Sequence, residues 1–474
     1  MAPRRGLDTL SQAVKDTLLW SVRDAARGTE PTRPHKAETS ESDEHKRRSA
    51  TGQRPDPFAH LPEMSEIRTQ KAVADLLGVV HPFFRIHDDR AGATTHIAGR
   101  KCINFASYNY LGFNGHPRIS EAAKTAIDRY GTSVSASRLV AGERPIHRAL
   151  ERRLADFIGV EDAVVMVSGH ATNVTTIGHL LRQGKDLVCH DALVHNSVLV
   201  GANLSGATRR SFPHNDFEAL EDLLAHCRHE HERCLIAVEG LYSMDGDCPN
   251  LPRLIELKER YDAWLLVDEA HSLGVLGPTG RGIAEEFKSD PQAVDIWMGT
   301  LSKTLSGCGG YIAGSTALVE YLKFTAPGFV YSVGMAPPLA AAALASLELL
   351  VNAPDRVAKL RDNGRLFLEL ARAADLDTGT SAGFAIVPVM VGDSLRAVYL
   401  ANRLLDRGIN VLPIVYPAVP ERSARLRFFL TAEHEPEQIR FAISMVAEEV
   451  AQLARAGFGL KMAAAVAKAT RPRS

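Results

Sequence analysis

Five short segments are apolar at almost every position rather than at alternate ones: AVVMVS (163–168), DLVCH (186–190), CLIAVEG (234–240), AWLLVDEA (263–270) and DIWMGTLS (295–302). A strand with one wet face alternates, whereas unbroken apolarity demands cover on both faces, as in a parallel sheet between layers of helices. The intervening stretches supply that cover: FEALEDLLAHC (217–227) and LPRLIELKERY (251–261) carry leucines at helical spacing, at the separation of βαβ crossovers. The expected fold class is α/β, a mostly parallel sheet in a large domain over residues 116–336. A segment over 61–115 precedes it. From Pro337 a long apolar helix, PPLAAAALASLELLV, leads into a smaller C-terminal α/β domain over 337–460, where FAIVPVMV (384–391) and LRFFLT (426–431) read as strands.

The ends differ in kind. Residues 1–60 pair a short amphipathic stretch, Leu7 to Val22, with a charge-dense polar run that cannot bury enough apolar surface to order itself, and read as a disordered linker. Asp8, Asp16 and Asp24 break the acid-poor pattern of a transit peptide. Residues 461–474, KMAAAVAKATRPRS, form a basic tail. Across all 474 residues, 55 Lys and Arg balance 56 Asp and Glu, a net charge of −1, which argues against a nucleic-acid binder. No apolar run reaches the ~18–20 residues of a membrane span. Six scattered cysteines and the lack of a signal-peptide core point to a cytoplasmic protein.

Chemistry concentrates where apolar runs end. In VDEAH (267–271), Asp268 closes a strand, and in an open parallel sheet ligands gather beyond the carboxyl ends of the strands. An acid there can hold a cationic ring nitrogen; it can equally cap the next helix. The string also matches the acidic box of a helicase-type ATPase, but the nearest phosphate-loop candidate, Gly178 to Gly184-Lys185, has one residue too many and Asp186 in place of Ser or Thr. In TLSKTLSGCGGYIAG (300–314), Lys303 stands among small residues where desolvation lowers an amine toward nucleophilicity. SGHATN (168–173) follows a strand and opens a helix, offering free N–H groups to a phosphate, with Thr300, Ser302 and Ser332 as further hydroxyl donors. A lysine, an acid and such donors suit an aldehyde cofactor with a pyridinium nitrogen and a phosphate. Cys227, His229, His231 and Cys234 crowd together but lack the second ligand pair of a zinc site, so no metal is expected.

The strings FASYNYLGF (105–113), SVSASRLVAG (133–142), SGHATN, HDALVHNSV (190–198), EGLYSMDGD (239–247), VDEAHSLGVLGPTGRG (267–282), TLSKTLSGCGG and VYSVGMAPP (330–338) resemble, in order and spacing, the α-oxoamine synthases. The likeness runs from about residue 65 to 455 and is closest in character to the sphingolipid-type and assembly-line members. It implies a fold-type-I transferase dependent on pyridoxal 5'-phosphate, a homodimer with a shared active site. Lys303 matches the Schiff-base lysine, and Asp268 the partner of the pyridine nitrogen. His271 and Ser243 match contacts to the ring hydroxyl, and His195 the histidine stacked on the ring and helping at the acyl carbonyl. Gly169, His170 and Thr300 match cofactor and phosphate contacts, Ser332 a contact to the phosphate in the partner subunit, Arg427 the substrate-carboxylate arginine and Asn109 a residue near the substrate.

Three departures qualify the resemblance. Val415 to Pro420 replaces a mobile Arg-Pro-Pro loop, Tyr108 stands where several glycine- and alanine-using relatives have Asn, and His170 stands where an aromatic is common. The implied reaction is the decarboxylative condensation of a small amino acid, serine favoured over alanine or glycine, with an acyl thioester of coenzyme A or an acyl carrier protein. Transamination, aldol-type cleavage and a non-catalytic scaffold role are the alternatives.

Overall fold

A computed structural model describes residues 56–76, 80–420 and 422–455. The amphipathic stretch Leu7 to Val22, most of the expected linker and the basic tail lie outside the described residues. The chain divides into two compact units. One comprises Met1–Phe84, Val398–Arg403 and Glu448–Ser474; in it Asn402 Nδ2 donates to Val80 O at 2.8 Å and Arg403 Nε pairs with Glu449 Oε2 at 3.0 Å. The other, Arg85–Ala397 with Leu404–Ala447, contains all the sheets and every predicted site residue.

Its strands are β1 (Thr94–Ile97), β2 (Arg100–Asn104), β3 (Asp162–Met166), β4 (Leu187–Asp191), β5 (Thr208–Phe212), β6 (Cys234–Glu239), β7 (Trp264–Asp268), β8 (Ile296–Thr300), β9 (Gly310–Gly314), β10 (Ile386–Gly392), β11 (Ile409–Asn410), β12 (Leu412–Ile414) and β13 (Ala424–Phe429). Seven form the main sheet in the order β3-β9-β8-β7-β6-β4-β5. The run from β5 to β8 is parallel; β9 is antiparallel to both β8 and β3. The five expected strands all form, and β4 and β6 are buried at every position, as their unbroken apolarity requires. The predicted helices Phe217–Cys227, Leu251–Arg260 and Pro337–Val351 are present; the first two start at Asp216 and Asn250, whose side chains accept the free N–H groups of Ala219 and Arg253.

Two strands of the main sheet lacked a sequence signal. β5 reads TRRSF because it is the sheet's edge, paired only with β4, and its middle residues are exposed. β9 reads GYIAG because its glycines face crowded neighbours: a Cβ at Gly310 would lie 2.6 Å from Thr172 Oγ1 and 2.7 Å from Gly169 Cα. The helix-cap alternative for Asp268 does not hold, because turns follow it as far as Gly282 and its Oδ1 accepts Ala270 N–H at 2.9 Å. The crowded Cys/His string separates into other uses. Cys234 is buried within β6, and His231 Nδ1 lies 2.9 Å from Cys227 O; among the described residues no group of three or more potential ligands is arranged for a metal.

Two small sheets, β1-β2-β11 and β10-β13-β12, complete the unit. Phe105 links this region: its carbonyl accepts Phe429 N–H at 2.9 Å and its ring packs against Phe428 at 5.4 Å, Phe367 at 5.9 Å and His434 at 4.4 Å between centroids. Phe105 is fully buried. Phe105→Ala should cost about 3–5 kcal/mol in transfer and cavity terms, read as a lower urea midpoint; an unchanged midpoint would show that this cluster does not hold β13 in place.

Candidate active site

The carboxyl edge of the main sheet gathers the charge. Glu239 ends β6 and Asp268 ends β7, and the strand register pairs them side by side, both buried. Burial, then the neighbouring Asp268 charge, push the Glu239 carboxyl up to about 8, which favours its neutral form over two adjacent charges. Glu239 Oε2 accepts Ser243 N–H at 3.0 Å. Asp268 Oδ2 accepts Asn173 Nδ2–H at 2.8 Å, and the same amide nitrogen donates to Ser197 Oγ at 2.9 Å. Ser197 in turn lies 2.7 Å from His195 Nδ1 through its hydroxyl and donates its backbone N–H to that nitrogen at 3.3 Å. A relay of bonds thus runs from Asp268 to His195. An acceptor role for Nδ1 places the proton of neutral His195 on Nε2.

Lys303 follows β8 into a turn, half-buried, with Nζ 5.5 Å from the centroid of the Tyr108 ring. Desolvation lowers its amine to about 8 against the opposing pull of Asp268 and Glu239, with Arg427 adding to the drop. Arg427 sits in the middle strand of β10-β13-β12, not at a strand edge, and donates from Nη1 to Ser243 O at 2.9 Å. Its guanidinium lies 4.7 Å from the Phe429 ring centroid, and among the described residues its Nε has no acceptor. His271, buried, has Nδ1 2.6 Å from Tyr110 OH; burial first, then the cationic Lys303 and Arg427, hold its ring well below the ordinary histidine range, hence neutral. His195 is likewise lowered, by desolvation and by Lys303, His170 and Arg427, against the pull of Asp268.

Beside this group lies a set of anion donors. Ser168 caps the helix Gly169–Leu180, its Oγ accepting Ala171 N–H at 3.4 Å. A Cβ on Gly169 would stand 2.9 Å from Thr300 Oγ1, which itself lies 2.9 Å from Ser302 Oγ. Exposed N–H groups at a helix start, with two hydroxyls against them, form a natural phosphate cradle. His170 is exposed, its ring 6.3 Å edge-on from that of His195. Two predicted residues are engaged locally: Asn109 Nδ2 donates to Ala91 O at 2.7 Å while its Oδ1 accepts Asn114 N–H at 3.1 Å, and Ser332 Oγ donates to Val333 O at 3.3 Å. Glu239, Asn173, Ser197 and Tyr110 escaped the sequence reading, although all four stand in strings it singled out. A cavity of about 440 Å³ occurs at the other end of the strands, beside Trp264 and Ile296, away from this chemistry.

An amine poised near neutrality, a buried acid, an unsatisfied guanidinium N–H and a phosphate cradle suit a ligand with an aldehyde, a cationic ring and a phosphate. In cofactor-free protein, reductive trapping of a small aldehyde on Lys303, followed by peptide mass mapping, should rise with pH through a midpoint near 8. Asp268→Asn should move that midpoint down, since the Asp268 charge holds the proton on Lys303. A midpoint that stays put would contradict the coupling.

The aminotransferase class I and II family matches residues 100–446. The 8-amino-7-oxononanoate synthase of Geobacter sulfurreducens is 43% identical over 355 residues, covering 74% of this chain and 89% of that protein. The structure of Sphingomonas wittichii serine palmitoyltransferase superposes with a TM-score of 0.79 at 31% identity, covering 85% of this chain and 99% of the other. A second serine palmitoyltransferase structure, solved with its PLP internal aldimine, gives 0.78 at 29% identity, covering 83% and 98%. With Lys303, Asp268 and the cradle at the carboxyl edge of a mostly parallel sheet, the chain belongs to the aminotransferase class I and II family, has the fold-type-I transferase fold and is an α-oxoamine synthase.

Proposed function

We propose that this enzyme is an acyltransferase that condenses a small amino acid with an acyl thioester, with loss of carbon dioxide, to give an α-amino ketone and a free thiol. The observation that carries the reading is the Lys303 amine, lowered to about 8 by burial and felt by Asp268, Glu239 and Arg427, with the Arg427 Nε lacking an acceptor among the described residues. The cofactor is pyridoxal 5'-phosphate. The residues present fit it: Lys303 for the aldehyde, Asp268 for the ring nitrogen, His271 and Ser243 for the ring hydroxyl, His195 for the ring face, and Gly169, His170, Thr300 and the helix start for the phosphate. When bound, it supplies an electron-accepting ring that stabilises negative charge at the amino acid's α-carbon.

The chain does the rest. Arg427 binds the amino-acid carboxylate, for which a planar fork of donors is suited. Lys303 Nζ, largely neutral above its lowered value, takes the α-proton. His195, oriented through Ser197 and Asn173 from Asp268, donates from Nε2 toward the acyl carbonyl. The net change joins the α-carbon to that carbonyl, breaks the carbon–sulfur bond to release thiol, breaks the bond to the carboxylate to release carbon dioxide and returns a proton to the α-carbon.

The donor is serine, alanine or glycine. The expectation of serine draws on the likeness to serine palmitoyltransferases, while the 43% identical relative is an 8-amino-7-oxononanoate synthase, so all three belong in the first assay. The working unit is a homodimer with Ser332 serving the partner subunit's phosphate and Asn109 near the substrate, in a cytoplasmic setting, with coenzyme A or an acyl carrier protein presenting the acyl group. Among the described residues no helix is long and apolar enough to cross a membrane.

Thiol release, followed with a thiol reagent, should require both an amino acid and an acyl thioester and be matched by carbon dioxide. Release of a keto acid or an aldehyde instead would mean transamination or aldol cleavage on the same Lys303 and Asp268. Lys303→Ala should lower kcat by ~10²–10⁴, the usual worth of a positioned acid–base group. Arg427→Ala should raise the amino-acid KM about 10–100-fold, for one charge-assisted contact; an unchanged KM would place the carboxylate elsewhere.

A further inference from the structure

His214 lies just past β5 and took no part in the sequence reading. Its Nδ1 lies 3.0 and 3.1 Å from the two oxygens of Asp191, and its Nε2 lies 3.0 Å from Asp247 Oδ2. A neutral imidazole has one N–H and can donate to only one of the two carboxylates, with Asn215 Nδ2, 3.3 Å from Nε2, as the donor to its bare nitrogen; the doubly protonated ring donates to both Asp191 and Asp247. The Asp191 side chain is fully buried, and those of Asp247 and His214 are 13% and 19% exposed. The Tyr242 ring stands edge-on at 4.4 Å and Asn215 Nδ2 reaches Asp247 Oδ2 at 3.5 Å, so the groups facing the ring are Asp191 from β4, Tyr242 and Asp247 from the loop after β6, and neutral Asn215.

The two carboxylates belong to the two loops that carry the candidate chemistry. Asp191 closes β4 just ahead of His195, and its Oδ1 accepts Leu193 N–H at 2.8 Å within that loop. Asp247 stands just past Ser243, whose N–H donates to Glu239 and whose carbonyl accepts Arg427. His214 is therefore a cross-link between the His195 loop and the Ser243 loop, beside Asn215, whose N–H donates to Asp191 Oδ2 at 2.8 Å. Loss of its charge would leave the buried Asp191 carboxylate and the partly buried Asp247 carboxylate without a cation between them.

We propose that His214, as an imidazolium bridging Asp191 and Asp247, is a positioning residue that holds His195 and the Ser243–Arg427 contact in register for the condensation. The proposal rests on the function given above for its kinetic consequence but not for the bridge itself. Burial works against the cation, but the contacts with Asp191 and Asp247 outweigh it and raise His214 to about 10. Because the folded value lies above the ordinary 6.5, the bridge contributes full stability below about pH 6.5 and loses it as pH rises toward 10.

The test uses histidine-labelled full-length protein. Nitrogen NMR should show one imidazole that stays doubly protonated to about pH 10; His214→Gln should remove that signal and Asp247→Asn should move its midpoint to lower pH. The absence of any imidazole protonated above pH 8 overturns the bridge, whether or not condensation is found. In the holoenzyme, His214→Gln should lower kcat at least tenfold at pH 7 and shift the His195 resonance, under conditions where circular dichroism shows it folded. A folded variant with wild-type kcat and an unmoved His195 signal overturns the positioning role. Should that variant not fold, Asp247→Asn carries the same comparison: an alkaline loss of kcat displaced to lower pH supports the proposal, and an undisplaced one refutes it.

Discussion

Two carboxylates that the strand register forces together, Glu239 and Asp268, set the terms for everything around them. Both are buried at the ends of adjacent strands, where a pair of negative charges cannot persist without donors and cations. The surroundings supply both. Ser243 N–H serves Glu239; Asn173 and Ala270 serve Asp268; Lys303 and Arg427 bring positive charge from the turn after β8 and from β13. The same pair explains why Lys303 can be half-buried and still hold a proton near neutrality: its desolvation is partly offset by the acids it faces.

A second consequence is the state of the histidines. His271 and His195 sit near Lys303 and Arg427, so burial and positive neighbours keep both rings neutral, able to donate or accept but not to add charge. His214 is the opposite case, placed between two aspartates and held as a cation. One sheet edge thus holds neutral imidazoles where substrate would meet them and a charged one where two loops meet.

The strands β4, β6, β7 and β8 were legible because burial on both faces leaves no alternation to misread, and the candidate residues Asp268, Thr300 and Lys303 could be singled out because they end or follow such runs. The edge strand β5 and the glycine-rich β9 were not, since one is polar from having a single neighbour and the other trades apolar side chains for close backbone approach. The parts of Glu239 and Asn173 were hidden for a different reason. Both stand in strings already singled out, but their work follows from which residue of β7 faces which residue of β6 and from a helix face reaching Asp268, and neither is written in local spacing. His214 joins residues from two separate loops, a pairing that no single motif carries.

The central claim is that Lys303, among these acids, holds the cofactor and works on a small amino acid. Its most direct test is the visible spectrum of the purified protein beside Lys303→Ala while serine, alanine and glycine are added in turn. The expected result is an absorbance band that depends on Lys303 and that one of the three amino acids perturbs most strongly. No band after adding pyridoxal 5'-phosphate, or a band that Lys303→Ala leaves intact, would contradict the claim.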